Sequence, residues 1–428
     1  MSETAPSNFK PKKSVALSGV TAGNTALCTV GRSGNDLHYR GYDILDIADI
    51  CEFEELAHLL VHGALPNIAQ LAAYKAKLKA LRGIPAVVRA VLETIPAAAH
   101  PMDVMRTAVS TLGCVLPEKE DHNGPGARDI ADRLMASLGS ILLYWHHYAQ
   151  NGKRIEVETD DNSIGAHFLH LLHGKAPRES WVRAMHTSLN LYAEHEYNAS
   201  TFACRVVAGT GSDMYSAITG GIGALRGPKH GGANEVSFDI QKRYANPDEA
   251  EADIRARVAA KEVVIGFGHP VYTISDPRNI IIKDVARRLS AEQGDLRMFD
   301  IADRIEADDG CQEDVRQPRL VQCGVVSHDG GADGDVHAAV RDLADLGLER
   351  PCDRAAHRRQ DHSADGELCR AGYSSVREAG RSRLRSSFLN EARHGFGRGA
   401  FFCAKIVAVG DFSLTSGRVR MDSGFLTA

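Results

Sequence analysis

Apolar residues recur along this chain at steps of three and four over long stretches, the spacing of one helix face. Between Arg40 and Pro66 the stripe is Phe53, Leu56, Leu59 and Leu60. His62 and Gly63 stop that helix, and Pro66 opens the next one over 69–80. Residues 84–94 and 102–112 repeat the pattern, the second with Pro101 placed for a first turn. A longer helix is predicted over 128–150, with Leu134, Leu138, Ile141, Leu142, Trp145 and Tyr148 facing one way. Residues 164–173 and 181–192 follow after short breaks. The stretch 246–261 opens on Pro247, Asp248 and Glu249, acids that match the positive end of a helix dipole. Only 15–39, with short apolar alternations among Gly, Thr and Ser, predicts strand or extended chain, after a loose polar leader over 1–14. The predicted fold class is mainly α.

The glycines near Gly220 do not make a dinucleotide fold. GGIG has no β-branched strand before it and no ribose-binding acid in context after it, and strand–helix alternation is absent. At 428 residues the chain can hold two or three domains and a substantial core. A formal charge of −5 offers no global field for nucleic acid or an anionic membrane, yet leaves room for a local basic pocket. The N-terminus lacks the apolar region of a signal peptide, and no run approaches the roughly 18 apolar residues of a spanning helix. Nine cysteines without CxxC spacing predict neither a zinc site nor a disulfide scaffold, so a reducing, cytoplasmic setting is expected.

The averages conceal a break near Ala307. The segment 308–428 carries sixteen arginines against one lysine and five of the nine cysteines, and its helical periodicity fades.

Chemistry gathers at two glycine-rich corners. One is GGIGALRGPKHGGANE at 220–235 and the other GFGHPVYTISDPR at 266–278. Each sets a histidine, His230 or His269, where glycine lets backbone approach a ligand. EHEYNAS at 194–200 adds His195 and Asn198, three apart and so on one side if helical. Arg278, nine residues after His269, could hold a carboxylate in bidentate fashion. Neutral imidazoles can donate to developing oxyanions and ketone oxygens without a metal. His167, His170 and His173 could suggest a metal stripe, but the third has drifted round the helix and no carboxylate shares the face, so no metal is expected.

These motifs lie in order with LHYRGYDI at 37–44, EELAHLLVHGALP at 54–66, HPMDVMR at 100–106, YAEHEYNASTF at 192–202 and VVIGFGHPVYTISDPR at 263–278. Over residues 12–307 the chain resembles the citrate synthase family, and within it the methylcitrate branch. The resemblance implies a homodimer of mostly helical subunits, with no resident cofactor. Residues 1–225 would form a large helical domain and 226–307 a small one, closing over oxaloacetate and propanoyl-CoA, with acetyl-CoA weaker. It gives His230 the role of donor to the thioester carbonyl and His269 that of polarising the ketone. His195, Asn198 and Arg278 would bind the dicarboxylate. Val263, Val264, Ile265, Gly266 and Phe267 would meet coenzyme A through the backbone.

The family next requires an aspartate base in a context like NLDWF and two further arginines, and this chain has neither pattern. Its codons, read one base onward with free third bases chosen suitably, permit MFANLDWFSAVSYHMMGVPTAMFTPLFVI over 314–342 and VIEQRTADKIIRPTANY over 352–368. The aspartate codon would straddle Arg319 and Leu320. The tail 308–428 therefore reads as out of frame, replacing the end of the small domain and the C-terminal part of the large one. Two functional readings follow: a condensing enzyme by descent, or a remnant that binds oxaloacetate or coenzyme A without doing chemistry. A purely structural helical protein would instead scatter His195, His230 and His269 through separate core regions.

Overall fold

The structure, a computed structural model, describes residues 23–118, 125–227, 230, 240–260, 262, 272 and 274–307. Three short antiparallel strands come first: β1 (Cys28–Val30), β2 (Leu37–Tyr39) and β3 (Tyr42–Asp43), paired in the order β1-β2-β3. Arg40 and Gly41 make the tight turn between the last two, both at positive φ, the geometry that matches strand twist. Asp43 then caps α1 (Ile44–Ile47) by accepting the amide of Leu45.

Helices make up most of the rest, and their ends carry recognisable caps. In α2 (Phe53–His62), Glu52 and Glu55 form a reciprocal capping box, and Gly63 closes the helix in the left-handed region at φ 96°. Asn67 and Gln70 do the same at the start of α3 (Ile68–Ala80). After α4 (Ala86–Leu92), His100 and Pro101 start α5 (Pro101–Val115), the histidine Nδ1 accepting the Met102 amide at 3.1 Å. The longest helix, α6 (Pro125–Asn151), runs through the main core, where Leu134, Leu138, Ile141, Leu142 and Trp145 are buried. Around it lie α7 (Ile164–His173) and α8 (Glu179–Tyr192), the latter buried continuously from Ala184 to Tyr192. The buried Arg82 donates to the carbonyls of Thr159, Asp161 and Ser163, so it fixes the loop ahead of α7.

The glycine- and serine-rich stretch that follows is two helices, α9 (Ala199–Gly209) and α10 (Met214–Leu225), packed on each other, with α10 also packed on α5. Helix α10 continues unbroken through Gly220 and Gly221. The two helices approach closely there, since a Cβ on Gly221 would collide with the sulfur of Cys204 on α9.

A second, smaller cluster joins Ile240, Tyr244, Ala250 and Ile254 to Ile301 and Ile305. It pairs α11 (Pro247–Ala259) with α13 (Arg297–Ala307). Between them α12 (Pro277–Gln293) packs its Val285 and Leu289 beside Ala184 and Trp181 of α8, and Tyr272 joins the main core. Among the described residues no helix is long and apolar enough to cross a membrane.

Candidate active site

The site is built on the turn between α8 and α9. His195 and Asn198 do not share a helix face as their spacing suggested. They stand in that turn, which holds Glu196 at φ 53°, and Asn198 is the cap of α9. The Asn198 side-chain carbonyl accepts from the Thr201 amide at 3.1 Å and from the Ser200 hydroxyl at 2.8 Å. Its amide N–H groups are therefore the part that could meet a ligand.

Ser200, in the first turn of α9, reaches His230. The backbone N–H of Ser200 donates to His230 Nε2 at 3.1 Å, and the Ser200 hydroxyl oxygen lies 3.0 Å from the same nitrogen. A backbone N–H can only donate, so Nε2 is an acceptor and the ring proton of neutral His230 sits on Nδ1. The His230 amide donates to the Gly227 carbonyl at 2.8 Å, which ties the histidine to the end of α10. His230 and Asn198 are thus brought together through one serine that sequence reasoning did not single out.

His195 points the other way along the turn. Its Nε2 lies 3.0 Å from the hydroxyl of Tyr272, 77 residues away, and the two rings meet edge-on. Burial raises the Tyr272 phenol far above its usual range, with the nearby Arg278 charge opposing it, so the hydroxyl stays protonated. Arg278 lies in the first turn of α12 and is buried together with Asp276, which caps that helix. Its Nε is 2.9 Å and its Nη2 2.5 Å from the two Asp276 oxygens. The guanidinium carbon also stands 5.7 Å from the centre of the Tyr192 ring. Burial works against this charge, but the Asp276 carboxylate outweighs it and holds Arg278 well above its ordinary pKa. Nη1 is not part of the Asp276 pair, and it is the group that could extend to a substrate carboxylate.

Two strands close the turn from beneath. Val30 of β1 donates its amide to the Glu196 carboxylate at 3.2 Å, and Tyr39 of β2 donates its hydroxyl to the Asn190 carbonyl at 3.0 Å. The structure therefore links His230, Ser200 and Asn198 on one side of the turn to His195, Tyr272 and Arg278 on the other. His269 and the expected coenzyme A segment Val263, Val264, Ile265, Gly266 and Phe267 lie outside the described residues, as does the whole of 308–428.

Among the described residues, one cluster elsewhere has metal-ligand residue types: Glu52, Glu54 and His186. Two of the three already serve the fold, while Glu54 keeps one unpartnered oxygen 3.7 Å from His186. His186 Nδ1 accepts the Phe53 amide at 2.9 Å, and Glu52 holds the Lys75 ammonium at 2.5 Å. On α7, His167 and His170 make contacts within the fold. His167 meets the hydroxyls of Ser140 and Thr159, and His170 meets Asp161 at 2.8 Å.

Comparison with known proteins identifies the family. Residues 16–309 match the family described as citrate synthase, C-terminal domain. A 2-methylcitrate synthase of Shewanella oneidensis is 50% identical over 301 residues, covering 70% of this chain and 80% of its own length. A 2-methylcitrate synthase of Mycobacterium tuberculosis is 39% identical over 303 residues, covering 70% of this chain and 76% of its own. The crystal structure of citrate synthase from Thermotoga maritima superposes with a TM-score of 0.66 at 25% identity, covering 96% of this chain and 95% of that one. The Thermoplasma acidophilum enzyme, solved as a ternary complex with carboxymethyl coenzyme A and oxaloacetate, gives 0.65 at 26% identity, covering 82% and 98%. With its helical architecture and two-thirds of its length matched, this chain belongs to the citrate synthase family of acyl-CoA condensing transferases.

Proposed function

We propose that the chain is built as a 2-methylcitrate synthase, joining propanoyl-CoA, oxaloacetate and water to give 2-methylcitrate and coenzyme A. Acetyl-CoA would be a poorer substrate, giving citrate. The observation that carries the reading is the pair of contacts between Ser200 and His230 Nε2. They put the imidazole proton on Nδ1 of a neutral ring, a donor suited to a thioester carbonyl. As the α-proton leaves, charge builds on that oxygen and the hydrogen bond strengthens, which is how a weakly acidic thioester is enolised. The enol carbon then attacks the oxaloacetate ketone, the new alkoxide takes up a proton, and water cleaves the thioester to release coenzyme A.

Arg278, His195 and the Asn198 amide supply positive and neutral donors for the oxaloacetate carboxylates. Tyr272 and Asp276 hold the first two of these in place. His269 would polarise the ketone, and Val263 to Phe267 would receive coenzyme A through backbone amides. A small domain after about residue 225 is supported by the separate cluster of Ile240, Tyr244, Ala250, Ile254, Ile301 and Ile305, although Tyr272 and α12 pack with the larger body. A homodimer is supported by Phe202 and Val206, which α9 exposes at 41% and 54%. A cytoplasmic setting is the proposed location. The preference for propanoyl-CoA rests on the 50% identical relative named for that product. One methylene is worth only about 1–3 kcal/mol in such a pocket.

A second reading has its own support. The family match ends at residue 309, and the family's base motif is absent from 308–428 in the frame as it stands. On that reading the chain binds oxaloacetate and coenzyme A but does not condense them. Thiol release from propanoyl-CoA with oxaloacetate, measured for this chain and for one with the frame restored near codon 309, separates the two. The restored chain is expected to be active and this one slower by about 10²–10⁴-fold, the usual cost of losing a general base. Equal rates would discard the second reading. A tenfold or greater preference of the restored chain for acetyl-CoA, about 1.4 kcal/mol, would reverse the acyl assignment.

A further inference from the structure

Helix α12 meets two bodies, and it meets them with different chemistry. Along one side it packs into the larger body: Ile281 and Ile282 lie against the main core, and Val285 and Leu289 meet α8. Polar contacts extend that side. Arg288 reaches Asp49 at 3.0 Å, and the Ser180 hydroxyl donates to Glu292 at 3.0 Å. Among the described residues, no apolar side chain of α12 belongs to the smaller cluster that joins α11 and α13. Toward α13 the helix offers Asn279 and Lys283 instead, one turn apart and so on one face. Both end on Glu306.

Glu306, in the last turn of α13, uses both carboxylate oxygens there. Oε1 accepts from Nδ2 of Asn279 at 2.5 Å, and Oε2 takes the Lys283 ammonium at 2.8 Å. Lys283 also pairs with Asp303, one turn earlier on α13. Asn279 is 8% exposed and directly follows Arg278. Its backbone N–H donates to the Asp276 carbonyl at 3.1 Å, and the Arg278 N–H donates to the Asp276 carboxylate at 2.9 Å. One buried turn therefore holds Asp276, Arg278 and Asn279 together, and Glu306 grips it from the smaller cluster. The charge on the acceptor makes that grip stronger than a contact between neutral groups.

We propose that Glu306 is a positioning residue for oxaloacetate binding. It ties α13 to the turn that carries Arg278, so the placement of the smaller cluster sets the placement of the guanidinium. The inference rests on the reading of Arg278 as a ligand of oxaloacetate. Glu306 itself touches no substrate and acts through Asn279.

Calorimetric titration of the full chain with oxaloacetate reads the first consequence, at a temperature where circular dichroism shows each variant folded. Glu306→Ala should weaken binding by about tenfold, within the usual range for a coupling between sites. Asn279→Ala removes the same bond from the other side and should weaken binding as much. The double variant should be no weaker than either single one, because both break one link. Glu306→Gln keeps an acceptor for Asn279 and should stay within about threefold of wild type. A residue that only stabilised the fold would lower the unfolding temperature and leave affinity unchanged. Wild-type affinity in either alanine variant, additive losses in the double variant, or a Glu306→Gln as weak as Glu306→Ala would each overturn the proposal.

Coupling is reciprocal, so amide hydrogen exchange reads the second consequence. Saturating oxaloacetate should slow exchange of the peptide covering 297–307 by about fivefold in wild type and leave it unchanged in Glu306→Ala. Equal slowing in both would overturn the proposal. Without ligand, Glu306→Ala should speed exchange of residues 276–280 by about fivefold. An unchanged rate there would overturn the proposal whether or not oxaloacetate binds. If that turn loosens as expected but no form of the chain binds oxaloacetate, the tie between α13 and Arg278 stands and the oxaloacetate reading of the site fails.

Discussion

Ser200 presents both its amide and its hydroxyl to a single atom, His230 Nε2, at 3.1 and 3.0 Å. The amide alone is enough to set the tautomer, because it cannot accept. The hydroxyl can rotate and mainly restrains the ring. A ring restrained at one nitrogen leaves the other as a directional donor.

Replacing the two residues should therefore have unequal effects in the frame-restored enzyme. His230→Ala removes the donor itself and is expected to lower kcat by about 10²–10³-fold, as for a lost oxyanion-hole contact. Ser200→Ala keeps the backbone N–H and should lower kcat only several-fold, on the order of 1 kcal/mol. Steady-state assay of both variants checks the order. A Ser200→Ala loss as large as that of His230→Ala would show that the hydroxyl, not the amide, fixes the ring.

Arg278 and Asp276 form a buried ion pair, with exposures of 8% and 0%. Removing one partner strands the other charge in the interior, at a cost of about 3–5 kcal/mol, while removing both is far milder. Urea unfolding should accordingly rank Arg278→Leu below the double variant Asp276→Asn, Arg278→Leu. Both should lose oxaloacetate binding, since the guanidinium is gone from each. If the single and double variants unfold at the same urea concentration, the pair is not coupled as the geometry requires.

Gly221 and Cys204 set the distance between α9 and α10. A Cβ at Gly221 would run into the sulfur and also come within 3.3 Å of the Ser200 carbonyl. Gly221→Ala should destabilise by about 1–3 kcal/mol through overpacking. Adding Cys204→Ala should recover part of that loss by making room, although the carbonyl contact remains. Thermal unfolding of the single and double variants measures it. Because Ser200 lies on the same helix turn, the single variant should also weaken activity in the frame-restored enzyme.

This helix pair shows where the sequence was legible and where it was not. The stripe on α6 and the caps of α2 and α3 follow local rules, so period and end signals locate them within a few residues. Helices α9 and α10 meet through glycine and cysteine, and close packing of small residues leaves no broad apolar stripe to read. Helix α12 buries few apolar residues between many charges, which hid it in the same way. At the site, His195, Asn198, His230 and Arg278 were named by motif, but their spacing misled about Asn198, which caps a helix instead of lying on one. Tyr272 and Asp276 act through folded contacts, one across 77 residues and one within a buried pair, and neither carries a local signal.

Glu54 gives a pH dependence that can be worked out in sign. It sits in the first turn of α2, fully buried, with one oxygen accepting the Ile164 amide at 2.6 Å and the other unpartnered. Burial raises its pKa to about 7 from an ordinary value of 4.5, with the Ile164 amide and Lys75 pulling it back only partly. Burial lowers His186, 3.7 Å away, to about 3, so it is neutral and offers no compensating charge. Below pH 4.5 both folded and unfolded chains hold the Glu54 proton, and its contribution to stability is fully present. Between 4.5 and 7 only the folded chain holds it, so stability falls by roughly 1.4 kcal/mol per pH unit, about 3 kcal/mol in all. Above 7 the carboxylate forms in both states and the loss levels off. Glu54→Gln keeps the acceptor for Ile164 and removes the ionisation, so it should flatten this part of the profile and unfold at a higher temperature than wild type at neutral pH. Glu194 adds a decline of the same sign that ends nearer 8, so the single variant should leave a residual slope, and Glu54→Gln with Glu194→Gln should remove most of it. Thermal unfolding of the three chains between about pH 5 and pH 8.5 checks the prediction, and parallel curves for wild type and Glu54→Gln would refute it.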